Sequence, residues 1–155
     1  MDQITRDAIR QIFLSPRPSV ALMTAASLLG IPCAALKREI DNGAIVAVST
    51  SLGRRVPREE MIAAAMRSWD QGTIEEALGD EAGRVLPEAI RLVELRARVP
   101  RYQHDMLRYL ARQQATTVDD VLARELEDVA CAHAEELAGA LPGFAEALAW
   151  PAGAG

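Results

Sequence analysis

The stretch RLVELRARVPRYQHDMLRYLARQQATTVDDVLARELEDVACAHAEEL, from Arg91 to Leu137, decides how this chain is read. It opens with an alternation in which Val93, Leu95, Ala97 and Val99 fall on one side and Glu94, Arg96 and Arg98 on the other. A period of two predicts a half-buried β-strand over 91–99. Pro100 ends that strand and suits the first turn of a helix. Tyr102, Met106, Leu107, Leu110 and Ala111 then recur at helical spacing, so an amphipathic helix is expected. Ala115-Thr116 marks a turn, and Thr117 with Asp120 makes a capping box that uses Asp in the usual Glu place. A second helix follows on Val118, Val121, Leu122, Leu126, Val129, Ala130 and Leu137. If it runs unbroken from Thr117 to Ala138 it is about 22 residues, or roughly 33 Å, long.

A lone strand leaves its backbone donors and acceptors unpaired along both edges. The simplest repair is a second copy of the chain, its strand antiparallel to the first and four helices closing the core. In this order of elements the stretch resembles the ribbon-helix-helix family of DNA-binding dimers. The resemblance implies a homodimer that reads double-stranded DNA with Glu94, Arg96 and Arg98 on the polar face of the ribbon. It also implies phosphate contacts from the second helix's N-terminus at Thr116, Thr117 and Val118. Ala115 departs from the pattern, since the family often places Gly there to turn the chain through the left-handed region.

Outward from this stretch, 155 residues suffice for one compact domain or two small ones. Half are apolar, but only two each are Trp, Tyr and Phe, so Leu, Ala and Val must fill the core. No apolar run has the length of a membrane span, and the first residues lack the pattern of a secretory signal. A cytoplasmic protein without membrane association is expected. Cys33 and Cys131, far apart on predicted helices, are expected as buried thiols.

The net charge of −5 is unevenly distributed. Residues 89–114 carry six basic and two acidic groups, whereas 115–155 carry one and eight. Residues 1–62 hold eight basic and six acidic groups, and 63–88 two and six. A DNA-facing surface with an acidic back produces such blocks.

Nearer the N-terminus, Asp2–Phe13 reads as a helix and Ser15-Pro16-Arg17-Pro18 as a break. Two short helices then flank Gly30-Ile31-Pro32, the second ending at Gly43, a good left-handed cap. Ile45–Val48 and Arg54–Val56 predict a hairpin around Ser51-Leu52-Gly53, and Pro57 opens a helix that continues to Trp69. The order, with LLGI, REIDNGAI and GRRVPREEM, resembles the excisionase and MerR-type winged-helix family. That likeness implies DNA contacts from Ala35, Lys37, Arg38 and Asp41 on the second helix and from Arg54 and Arg55 on the wing. The chain departs from the family where Pro32, Cys33, Ala34 and Ala35 replace a hydroxyl cap and basic residues, which leaves Lys37 and Arg38 as the groups able to reach phosphates or bases.

Gln71-Gly72-Thr73 is read as a break, with Thr73 and Glu76 capping a short helix through Leu78. The expected organisation is therefore a winged helix-turn-helix over 1–70, an acidic connector over 71–88, and a ribbon-helix-helix module with an extended second helix and apolar tail over 89–155. The fold class is mainly α with short β elements.

No Gly-rich phosphate loop, nucleophile elbow or metal-ligand spacing occurs. Cys131 and His133 lie about 200° apart on a helix, which no single metal can use. The pairs Glu59-Glu60, Glu75-Glu76 and Asp119-Asp120 are expected in first turns, where the helix dipole favours negative charge. No enzyme, cofactor or metal is expected. Two functions remain open. One is a dimeric, sequence-specific DNA-binding transcriptional regulator of repressor type. The other is a protein-interaction module, such as an antitoxin or an adaptor, with a toxin or other partner on the long helix and tail and DNA binding secondary.

Overall fold

Asp2 opens the first helix, α1 (Gln3–Leu14), by accepting from the Thr5 N–H at 2.9 Å. The computed structural model describes residues 1–51 and 53–150, so Leu52, expected in the hairpin turn, and the last five residues lie outside the described residues. After α1 come β1 (Ser19–Ala21), α2 (Leu22–Leu28), α3 (Cys33–Asp41), β2 (Val48–Thr50), β3 (Gly53–Pro57), α4 (Arg58–Ser68) and α5 (Gln71–Leu78). A 3-10 turn (Gly79–Glu81), α6 (Ala82–Val85) and a second 3-10 turn (Glu88–Ile90) complete the first of two compact units, Met1–Leu92, to which Ala149 and Trp150 also belong. The chain is thus mainly helical, with one three-stranded antiparallel sheet of order β1-β3-β2.

The core of this unit gathers one face from each helix. Ile9, Ile12 and Phe13 of α1 meet Ala25 and Ala26 of α2, Leu36 and Ile40 of α3, Val56 of β3, and Met61, Ala64 and Ala65 of α4. Trp69 and Trp150 pack half-buried against it. Arginines fasten the elements by donating to backbone carbonyls. Arg58 Nη2 reaches Phe13 O at 2.6 Å and its Nε reaches Ser15 O at 3.1 Å, satisfying the orphan carbonyls at the end of α1. Arg10 does the same for α5, reaching Ala77 O and Leu78 O at 3.2 and 3.1 Å.

Several expectations change here. The segment 71–88, expected as an acidic connector, sends Ile74, Ala77, Leu78 and Leu86 into the core. Its helix starts at Gln71, before the expected cap, because the Asp70 carboxylate accepts from both the N–H and the hydroxyl of Thr73 at 2.8 and 2.7 Å. Glu75 and Glu76 therefore lie past the first turn. Glu75 instead accepts from the Leu92 N–H at 2.7 Å, and Glu76 pairs with Arg6 at 3.5 Å. The hairpin ladder begins at Val48 and not Ile45. The Ile45 side chain is buried in the core, and the Val46 N–H turns to Glu60 at 3.0 Å. Strand β1, three residues long, is too short to leave a period in the sequence; β3 calls it up by pairing Val56 with Val20.

The second unit, Val93–Leu148, contains α7 (Arg101–Gln113), α8 (Val118–Ala132), α9 (Ala134–Ala140) and the start of α10 (Phe144–Ala149). Helices α7 and α8 pack on each other. Only Ala111 and Val121 are buried among the unit's described residues. The strand expected over 91–99 is an extended segment without ladder partners, because a single chain offers it no complementary edge. The expected long helix breaks at His133 (φ −114, ψ 20), and α9 starts anew at Ala134. The sequence has no Gly or Pro there, and neither half buries anything beyond Val121 that would hold the two in line. Cys131 is exposed for the same reason, and Cys33 is half-buried.

Helices α2, α3 and α7 end alike, with the residue after the cap in the left-handed region and the next N–H reaching back five residues: Ile31 to Ala26 O, Ala44 to Glu39 O, Thr116 to Ala111 O. Two of these ends use Gly30 and Gly43; the third uses Ala115 at φ 52. Ala115→Gly should therefore stabilise the second unit by about 0.5–1 kcal/mol, the left-handed strain of alanine less the extra chain entropy of glycine, as read by thermal denaturation followed by circular dichroism. In the first unit, Ile74→Ala should cost about 2–5 kcal/mol in urea denaturation followed by Trp69 fluorescence. A true connector residue would change stability by no more than about 0.5 kcal/mol.

Candidate nucleic-acid interface

The ribbon candidates sit on the extended segment before α7. Glu94 and Arg96 bond each other, Nε to Oε1 at 3.0 Å and Nη2 to Oε2 at 3.3 Å, and both are well exposed. Arg98 is exposed and in no ion pair among the described residues. No N–H from Val93 to Val99 has a backbone or side-chain partner there. The opposite side of the segment is apolar and bare: Val93 is 86% and Leu95 65% exposed. Pro100 leads into α7, whose Tyr102 and Tyr109 are 70% and 62% exposed, with Met106 between them half-exposed. The apolar residues of α7 thus divide. Leu107, Leu110 and Ala111 turn inward, while Tyr102, Met106 and Tyr109 form a second, uncovered stripe.

At the N-terminus of α8 the capping box forms as expected. Asp120 N–H donates to Thr117 Oγ1 at 3.1 Å, and the Thr117 N–H donates back to Asp120 Oδ2 at 3.0 Å. The hydroxyls of Thr116 and Thr117 also donate to that oxygen, each at 2.6 Å. These bonds, led by the Thr116 hydroxyl, hold the Asp120 carboxyl below its usual range. The Thr116 and Thr117 hydroxyls and the Thr117 N–H are therefore already taken by the chain's own carboxylate, with Asp119 beside it. Of the three phosphate candidates, Thr116 and Thr117 are committed to Asp120, and Val118 contributes an N–H.

In the first unit the candidates have separate jobs. Lys37 and Arg38 are exposed on α3 and in no ion pair among the described residues. Ala35 is half-buried. Asp41 pairs with Arg54 at 3.8 Å, which ties the end of α3 to the wing and neutralises both. Arg55 is turned into the sheet, where its Nε and Nη2 donate to Ser19 Oγ and Ser19 O, both at 2.9 Å. Its guanidinium is a cross-strand clamp between β1 and β3.

Three residues missed in the sequence reading are Arg101, Arg108 and Arg112, exposed on α7 at spacings of seven and four. That spacing is the signal of a single helical stripe.

Elsewhere the first unit has an open cleft of about 410 Å³ between α1 and α6. Its charged groups are already engaged, Arg58 with α1 carbonyls and Arg84 with Glu81 at 2.7 Å. Among the described residues no three His, Cys, Asp or Glu side chains converge as metal ligands, and no helix is long and apolar enough to cross a membrane. No family model, curated protein or solved structure matches the chain.

The depressed Asp120 has a pH consequence. Its folded-state pKa lies below the unfolded one, so its contribution is complete above the usual carboxylate range and disappears as pH falls through the folded value. Asp2, lowered by the Thr5 N–H in the first unit, acts in the same direction. Thermal unfolding between about pH 3 and pH 6 should thus show less acid destabilisation for Asp120→Asn than for the parent. Equal pH slopes would dismiss the capping carboxylate as a source of acid sensitivity.

Proposed function

We propose that this protein is a homodimeric, sequence-specific DNA-binding regulator, its second unit pairing with a second copy as a ribbon-helix-helix and its first unit acting as a winged helix-turn-helix. One observation carries the reading. An extended segment with unbonded N–H groups has a bare apolar side, Val93, Leu95 and Val99, and leads directly into the bare Tyr102, Met106 and Tyr109 of α7. A second copy of the same segment, antiparallel to the first, supplies backbone partners and an apolar face together. Pairing leaves Glu94, Arg96 and Arg98 on the open side of a two-stranded ribbon, a shape that fits the B-DNA major groove, where Arg contacts guanine edges and Glu accepts from cytosine. The element order α1-β1-α2-α3-β2-β3, with Lys37 and Arg38 free on α3, supports the winged-helix half of the reading.

A second reading is favoured by one further feature. Leu126, Val129 and Leu148, on helices that carry most of the acidic residues of the unit, and Leu141 just past α9 are also exposed. A face of that kind suits a protein partner, as in an antitoxin, with DNA binding secondary. Co-purification of a partner protein that protects these helices from hydrogen exchange distinguishes this reading from the first.

The dimer is tested by light scattering at micromolar concentration, where Leu95→Pro should give monomers because it removes a ladder donor in mid-strand. Arg96→Ala and Arg98→Ala should leave the dimer intact and cost about 1–3 kcal/mol of affinity for the preferred DNA site per lost base contact. A folded monomeric parent protein, or DNA affinity indifferent to both arginines, sinks the ribbon reading.

A further inference from the structure

We infer that Arg101, Arg108 and Arg112 of α7 form a contact surface for the phosphate backbone of duplex DNA, distinct from the ribbon positions and from the N-terminus of α8. The inference rests on the DNA-binding reading above. At about 100° per residue, the three lie within roughly 40° of one another, on a stripe rising about 16 Å along the helix. All three are exposed, and the side of α7 carrying Leu107, Leu110 and Ala111 is turned inward.

The charge pattern around the stripe carries the argument. Helix α7 packs on α8, and residues 115–148 hold eight carboxylates against the single Arg124. Long arginine side chains readily find carboxylates within reach, yet among the described residues no arginine of α7 pairs with an acid of α8, α9 or α10. The one ion pair of an α7 arginine stays within the helix, Arg101 to Asp105 at 3.9 Å. Arg108 and Arg112 have none. Arg108 and Arg112, and in part Arg101, thus keep their charge available to an external anion although acidic helices stand in the same unit.

The shape of the stripe selects the kind of anion. Groups that grip one phosphate converge on a point, whereas these are strung in a row. A rise of about 16 Å equals the axial rise of roughly five base pairs, so the row is long enough to meet more than one phosphate of a duplex. At the α8 N-terminus the hydroxyls of Thr116 and Thr117 are committed to Asp120, which leaves the stripe as a further source of positive charge in this unit. The stripe starts just after Pro100, continuing the positive run of Arg96 and Arg98, at a helix end with no acidic residue in its first turn.

The test measures binding of the full-length protein to duplexes of several sequences by fluorescence anisotropy across a salt series, with circular dichroism and light scattering to verify fold and assembly. Arg108→Ala/Arg112→Ala should weaken binding to every duplex alike. In a dimer it removes four phosphate contacts and lowers the salt slope by about 3.6, so a fourfold rise in salt costs the variant about 150-fold less affinity than the parent. Arg108→Lys/Arg112→Lys keeps the charge and should restore the slope, whereas Arg96→Ala/Arg98→Ala should mainly alter sequence preference. If the parent binds duplexes and the double alanine variant keeps the same slope, the stripe is overturned while the DNA reading stands. A loss confined to one sequence also overturns it, because the arginines would then be base readers. If the parent binds no duplex, or binds anionic phospholipid vesicles in its place, both the DNA reading and the stripe fall.

Discussion

The unbonded backbone between Val93 and Val99 is the constraint on which the second unit depends. An extended chain has a donor and an acceptor at every residue, and folding within one chain satisfies none of these N–H groups. The same unit buries only Ala111 and Val121, too little apolar area to offset the entropy of ordering its helices. Missing hydrogen bonds and missing core fall on neighbouring residues, since Val99 and Tyr102 are separated only by Pro100 and Arg101. In the proposed dimer a single event, antiparallel pairing of two copies, answers both deficits, so strand order and assembly cannot be varied independently.

The first unit closes on itself, and its arginines show why charge counts mislead. Arg10 and Arg58 bind the carbonyls that end α5 and α1, and Arg55 clamps β3 to β1. These cations substitute for capping residues and sheet contacts, so they are withdrawn from any ligand. On the surface that the winged-helix proposal assigns to DNA, Lys37 and Arg38 are in no ion pair among the described residues, whereas Arg54 is held by Asp41. In the second unit Arg98, Arg108 and Arg112 are in no ion pair among the described residues, beside an acidic set of helices.

Local chemistry was legible in the sequence. Thr117 and Asp120, Gly30 and Gly43, and the helical periods of α1, α7 and the first four turns of α8 act over three to five residues, and each formed where the residues placed it, whereas the expected continuation of α8 past His133 did not. The alternation of Glu94, Arg96 and Arg98 with apolar residues and the basic character of 89–114 were legible for the same reason, as properties of successive side chains. Partnerships between distant residues were decided only by tertiary structure. Val56 called up β1, Asp70 displaced the cap at Thr73, and Ile74 and Leu86 turned an acidic connector into core. Distant partners also separated Arg55, bound at Ser19, from Arg98, without an ion pair among the described residues, although both are simply arginines beside alternating residues in the sequence. A side chain's local period records which way it points; what it meets there depends on residues tens of positions away, and only the folded chain brings those together.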